Sequence, residues 1–144
     1  MIKRVNIEDV EVLAALAHEL WNDSSITELE AGFREMLAGD AAACFIKYID
    51  GKTAGFAQCQ LRTDYVEGTD SSPVGYLEGI YIKEEYRRCG CAKELLTECE
   101  KWAKEKGCTE FASDCELNNA ESFRFHLSMG FEEANRIICF KKSI

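Results

Sequence analysis

Residues 75–96, GYLEGIYIKEEYRRCGCAKELL, carry a strand, a short basic loop and a helix in immediate succession. Tyr76, Leu77, Ile80, Tyr81 and Ile82 favour a strand, interrupted by one acid, Glu78, and one glycine, Gly79. Ala92, Leu95, Leu96, Cys99, Trp102 and Ala103 then recur at helical spacing among lysines and glutamates, the period of a helix with one apolar face. Between the two lie Arg87, Arg88, Cys89, Gly90, Cys91 and Ala92, small and basic residues. A helix leaves its first N–H groups without partners, so one that opens on such a loop offers an anion site whose backbone a ligand can approach closely.

Upstream, the runs AACFIKYID and KTAGFAQCQLR meet around Asp50-Gly51, residues that tolerate the positive φ angles of a type I′ turn, and predict a β-hairpin. Residues 2–6 (IKRVN) predict a first strand, with Asn6 capping a helix over 7–21 whose apolar face carries Val10, Leu13, Ala14, Leu16, Ala17 and Leu20. A second helix is expected over 28–37, capped by Thr27 after a turn at Asn22-Asp23-Ser24-Ser25 and stopped by Gly39-Asp40. Residues 63–73 (TDYVEGTDSSP) form a loop leading into the central strand, and loops at a sheet's end often hold specificity. Downstream, Gly107 breaks the helix, 109–115 predicts a strand and 120–129 a helix, and 131–134 and 137–142 predict two final strands meeting at Asn135-Arg136.

With 144 residues and an apolar share of 47%, the chain suits one domain, 1–144, around one core. No apolar run of signal-peptide length opens it, and none approaches the roughly 18 residues that a membrane helix needs, which points to the cytoplasm. Eight cysteines are scattered without a Cys-x-x-Cys pair and are read as reduced core fillers. Cys89 and Cys91 stand apart, because a helix N-terminus lowers a thiol's pKa, yet packing is the role expected of them too. A balance of 17 basic against 26 acidic residues, net −9, opposes nucleic acid and anionic membranes as partners and favours a cationic one. The two histidines, His18 and His126, have no ligand spacing, so no metal site is expected, and no serine sits on a nucleophile turn.

Arg87-x-x-Gly90-x-Ala92 resembles the acyl-CoA-binding signature of the GNAT superfamily of N-acetyltransferases. Asn119-x-x-Ser122-x-x-Phe125-His126-x-x-x-Gly130-Phe131 resembles that superfamily's later segment, where an asparagine opens a helix beside the pantetheine arm. The two signatures stand in the right order, and the resemblance spans essentially the whole chain. It implies the GNAT fold, α/β (α+β), with a mixed central sheet splayed at the cofactor site and helices on both faces. It also implies acetyl-CoA as co-substrate, held by the main chain of Ile80, Tyr81 and Ile82, by the loop residues Arg87, Arg88, Cys89, Gly90, Cys91 and Ala92, and by Asn119. Phe56-Ala57-Gln58, residues 64–69 (DYVEGT), residues 72–80 (SPVGYLEGI) and Phe125-His126 are similar to stretches of the small bacterial aminoglycoside 6'-N-acetyltransferases. This narrower resemblance implies an aminoglycoside substrate contacted by Trp21, Tyr65, Glu78 and Asp114, and a homodimer to which the apolar stretch Ile137-Ile138-Cys139-Phe140 contributes either across an interface or as an inner strand. At one position the chain departs from its relatives, carrying Asn135 on the final hairpin where they place an acid, with Glu132 and Glu133 close by.

Acetyl transfer from a thioester needs a neutral amine, a polarised carbonyl and a proton for the departing thiolate. Glu78, an acid on an otherwise apolar strand, is expected as the base or as the anchor of a substrate ammonium, with Asp114 in the other part; a solvated edge or an internal salt bridge is the plainer alternative for Glu78. His126 stands where many superfamily members carry a tyrosine and is read either as the acid that protonates the thiolate or as a packing group. Main-chain N–H groups near Ile80 are expected to stabilise the oxyanion. Two other functions fit the same fold: an acetyltransferase acting on polyamines or protein amines, and an acyl-CoA-binding module without turnover. The retained cluster Tyr65, Glu78 and Asp114 argues against the second.

Overall fold

The computed structural model describes residues 1–144. Strand β1 (Ile2–Arg4) leads through a short 3-10 turn (Ile7–Asp9) into helix α1 (Val10–Leu20), followed by α2 (Ile26–Leu37), the hairpin β2 (Ala42–Ile49) and β3 (Lys52–Arg62), the central strand β4 (Val74–Ile82), helix α3 (Cys91–Glu105), a two-residue strand β5 (Phe111–Ala112) and α4 (Ala120–Ser128). The sheet runs β1-β2-β3-β4-β5, antiparallel up to β4 and parallel between β4 and β5. The α3 crossover makes that last pairing parallel, since parallel neighbours need a long connection. At the β2–β3 turn Asp50 and Gly51 adopt φ of 48° and 75°, the left-handed pair that a type I′ turn demands.

Successive residues of β2 serve opposite faces. Ala43 and Phe45 pack with Leu95, Leu96, Cys99 and Trp102 of α3, while Cys44 and Ile46 pack with Leu13, Ala17 and Phe33 of α1 and α2. Helices therefore cover both faces, and the middle strands read as nearly continuous apolar runs. Cys44, Cys59, Cys99 and Cys108 fill this core, and burial pushes the Cys44 thiol well up and raises the Cys108 thiol. Cys115 and Cys139, expected as core fillers, are exposed, because one lies beyond the last paired residue of β5 and the other in the terminal segment.

Three expectations need correction. Ser25, not Thr27, caps α2: its hydroxyl accepts from the Glu28 N–H at 3.1 Å, and the helix begins at Ile26. The strand expected over 109–115 is paired only at Phe111 and Ala112. The strands expected over 131–134 and 137–142 do not form, and Ile137, Ile138 and Phe140 stay 61%, 79% and 91% exposed. A strand exists only through a neighbour, and within one chain these residues meet none; beyond the bond from the Phe131 N–H to the His126 carbonyl, their main chain has no main-chain partner.

Candidate active site

Strand β4 positions the site by an irregularity. Gln58 of β3 faces Gly79, but Cys59 faces Leu77, so Glu78 has no residue opposite it. Such a bulge bends the strand and re-aims the extra side chain. Glu78 meets Arg62, the last residue of β3, whose Nη2 donates to Oε1 at 2.9 Å and to Oε2 at 3.2 Å while Nε donates to Oε1 at 3.2 Å. The same guanidinium lies 3.5 Å from the centre of the Tyr76 ring. The Tyr76 hydroxyl in turn donates to Asp114 Oδ2, and burial followed by that carboxylate holds the phenol's pKa well above its ordinary value. Two carboxylates, one on β4 and one just beyond β5, are thus joined through an arginine and a tyrosine.

The second edge of β4 is open. It pairs with β5 only at Gly75 and Tyr76, and beyond them the two strands part. The Lys83 N–H donates to the Ala54 carbonyl at 2.9 Å, so antiparallel alternation turns the main chain of Tyr81 towards β3 and that of Ile80 and Ile82 towards the open edge. Arg87 takes the Ile82 carbonyl through Nε at 2.9 Å, leaving the Ile80 main chain available. Where the strands part, Ser113 Oγ reaches the Leu77 carbonyl at 3.3 Å.

Below this edge, α3 starts at Gly90 with no side chain capping its N-terminus. Arg88 and Gly90 both take left-handed conformations, φ 61° and 80°, and a Cβ at Gly90 would meet nothing within 4 Å. The result is an open cradle of main-chain N–H groups with Arg87 and Arg88 beside it, a donor set that suits a phosphate. Cys89 is exposed there and Cys91 buried beneath the loop. These residues fit the pyrophosphate of acetyl-CoA, and the open β4 edge fits its pantetheine arm, which presents amides for strand-like pairing. Asn119, by contrast, uses its side-chain oxygen to cap α4, accepting from the Ser122 N–H at 3.0 Å.

The other expected residues fall into two groups. Trp21, at the end of α1, packs edge-on to Phe56 with ring centres 5.7 Å apart and lies against Gly79, next to Glu78. His126 has both ring nitrogens engaged. Nδ1 lies 2.7 Å from the Ser122 carbonyl, which can only accept, so Nδ1 carries a proton; Nε2 lies 2.8 Å from Ser113 Oγ, whose one hydroxyl proton is shared between that nitrogen and the Leu77 carbonyl. Tyr65 stands apart, 77% exposed on the loop between β3 and β4. Asn135 is exposed and donates to Glu67 Oε2 of that loop at 3.1 Å, while Glu133 is paired with Arg136. A concavity of about 510 Å³ lined by Ile2, Lys47, Lys93, Glu94, Thr97 and Glu98 holds none of the expected residues.

Arg62, Tyr76 and Ser113 were not singled out from the sequence. A signal for Arg62 was present: Gln58, Gln60 and Arg62 recur every second residue in an otherwise apolar strand, marking one polar stripe. Nothing local marks Tyr76 or Ser113, whose partners lie 38 and 13 residues away.

The sequence profile of the Acetyltransferase (GNAT) family matches residues 11–131. An aminoglycoside N(6')-acetyltransferase type 1 of Serratia marcescens is 39% identical over 145 residues, 100% of this chain and 99% of the relative. A protein of the same name from Acinetobacter haemolyticus is 40% identical over 129 residues, 90% of this chain and 88% of the relative. Among solved structures, AAC(6')-Iy in complex with the bisubstrate analogue CoA-S-monomethyl-acetylneamine superposes with a TM-score of 0.95 at 38% identity, covering 100% of this chain and 98% of that one.

Proposed function

The chain belongs to the GNAT family of acetyltransferases, and from that premise we propose that it transfers the acetyl group of acetyl-CoA to the 6'-amine of aminoglycosides. The observation that carries the substrate class is the linking of Glu78 and Asp114 through Arg62 and Tyr76 beside the open β4 edge, in a chain of net charge −9. The names of its full-length relatives support the same acceptor. Acetyl-CoA supplies the activated acyl group. The chain's residues supply the rest: the Arg87–Arg88 side chains and the N-terminal amides of α3 hold phosphate, the Ile80 main chain faces the open edge as donor for a carbonyl oxygen, and Glu78 holds a substrate ammonium. Asp114 keeps Oδ1 free of protein partners and is placed to accept the proton of the attacking amine. With both nitrogens of His126 held by Ser122 and Ser113, we assign that ring to orienting α4 and Ser113 rather than to protonating the thiolate.

Trp21, beside Glu78, forms the apolar wall of the acceptor side, while Tyr65 and Asn135 extend it along the acidic loop. We place the protein in the cytoplasm, a reading supported by its use of acetyl-CoA and by eight unpaired cysteines; no helix is long and apolar enough to cross a membrane. We also propose a homodimer. Residues 137–144 hold Ile137, Ile138, Phe140 and Ile144 in solvent with unpaired main chain, and a second copy is the partner that could add them to a sheet. Light scattering should give twice the chain mass, and a chain ending at Arg136 should be monomeric.

The deciding experiment is an acceptor panel, kanamycin, spermidine and a lysine peptide, with thiol release from acetyl-CoA as readout. Turnover is expected with kanamycin alone. Preference for either other amine transfers the function to that acceptor, and binding of acetyl-CoA without turnover of any makes the chain a binding module.

A further inference from the structure

Arg62 closes β3 opposite Val74 and sends its guanidinium over the Tyr76 ring onto both oxygens of Glu78. Of the two ion-pair members the arginine is the more exposed, 38% against 21% of the side chain. The bulge that frees Glu78 from a cross-strand neighbour also leaves it partly desolvated, and a partly buried carboxylate is costly without a cation beside it. Arg62 supplies that cation in the free protein. Yet the reading that Glu78 holds a substrate ammonium needs the same oxygens. A carboxylate whose two oxygens are already bridged by a planar fork has little left to offer a second cation until the fork moves.

We propose that Arg62 is the resident counter-ion of Glu78 and that an ammonium of the aminoglycoside displaces it during binding, which makes Arg62 a specificity-determining residue. The inference rests on the proposed acceptor and deepens it. Exchange of one cation for another at Glu78 gains little by itself, because the ion pair lost offsets the ion pair formed. A ligand with a single ammonium therefore gains almost nothing at this position. A ligand that brings several ammonium groups gains from the contacts made elsewhere, at Asp114 and along the acidic loop, while using one group to dislodge the arginine. The displaced guanidinium keeps its stacking on Tyr76, which limits the loss on release.

The test begins with steady-state kinetics of Arg62→Gln, which removes the charge and keeps a polar side chain. KM for kanamycin should fall, by roughly threefold or more, while KM for acetyl-CoA stays put. Arg62→Lys, which keeps the charge but not the fork, should fall between wild type and Arg62→Gln. A merely structural arginine would instead raise KM or lower kcat, and either result, or an unmoved KM, overturns the proposal. Should Arg62→Gln fail to fold, the wild-type protein still decides: the Nε–H resonance of Arg62, protected by Glu78 in the free protein, should lose that protection when kanamycin saturates the site. A signal that persists unchanged refutes displacement. Wild-type turnover of kanamycin is the control that separates the two ideas, since its absence removes the proposed function, whereas turnover with an undisplaced Arg62 removes only the counter-ion.

Discussion

At Gly79 a methyl group would lie 2.4 Å from Trp21 Cζ2 and 2.8 Å from Cη2, so glycine is the residue that lets α1 close against the central strand next to Glu78. Gly79→Ala should destabilise the protein by about 1–3 kcal/mol in urea denaturation and reduce aminoglycoside turnover, as the indole must leave or the strand must shift. Trp21→Ala removes the obstacle, and in that background the added methyl should cost far less, a coupling a double-mutant cycle would read. The carboxylates carry a second prediction: Glu78→Gln and Asp114→Asn should each lower kcat/KM for kanamycin by on the order of tenfold or more, with acetyl-CoA affinity nearly unchanged. Tyr76 carries a third. Its folded pKa lies above the ordinary 10.0, chiefly through burial and then through Asp114. The neutral phenol is thus the form the fold prefers, so its contribution is fully present below pH 10.0 and is lost as the pH rises towards the folded value. An ultraviolet titration should show Tyr76, together with Tyr81, whose hydroxyl donates to Glu19, ionising above the ordinary 10.0.

Element boundaries depend on single side chains. Ser25, in extended conformation at φ −71° and ψ 157°, gives its hydroxyl to the first turn of α2, whereas Thr27 lies inside the helix. Ser25→Ala should cost about 1 kcal/mol of stability and Thr27→Ala much less, measured by chemical denaturation. At the entry to α1, Asn6 accepts from the Glu8 N–H at 2.9 Å, Asp9 Oδ2 accepts from the Asn6 N–H at 3.1 Å, and Lys3 Nζ reaches Asp9 Oδ1 at 2.6 Å. The Lys3 ammonium holds the Asp9 carboxyl below its ordinary 3.8. That contribution is present above pH 3.8 and is lost as the pH falls through the lower folded value, so Asp9→Asn should flatten the acid limb of the melting curve below 3.8. The partly exposed lysine keeps the effect modest. These two caps illustrate how close a local reading comes: the signature Ser-x-x-Glu was present in Ser25 and Glu28, and a neighbouring threonine competed with it.

Over the whole molecule, 26 acidic residues against 17 basic ones give a field that attracts a polycation and repels a polyanion. The proposed reaction takes one substrate of each sign, which requires the local positive cradle at Arg87, Arg88 and the α3 N-terminus to work against the net charge. Added salt should therefore lower kcat/KM for kanamycin steeply, since the Debye length is only about 10 Å at 0.1 M. A polar neutral substitution within the acidic loop, Asp70→Asn, should weaken that salt dependence slightly without touching the Glu78 pair.

The sequence by itself determined what near neighbours decide. The element order through α4, the Asp50–Gly51 turn and the opening of α3 on Gly90 all follow from periodicity and from residues that tolerate a given φ. The GNAT signatures at Arg87-x-x-Gly90-x-Ala92 and Asn119 to Phe131 were legible for the same reason, as each is a contiguous piece of chain. The tertiary structure alone decided the bulge at Glu78, the Arg62 and Tyr76 links between the two carboxylates, the capture of both His126 nitrogens and the lack of partners for residues 137–144. Each depends on which residues from distant segments come to lie opposite one another. A single extra residue in a ladder reverses which face a side chain takes, and a strand forms only where a neighbour offers its edge.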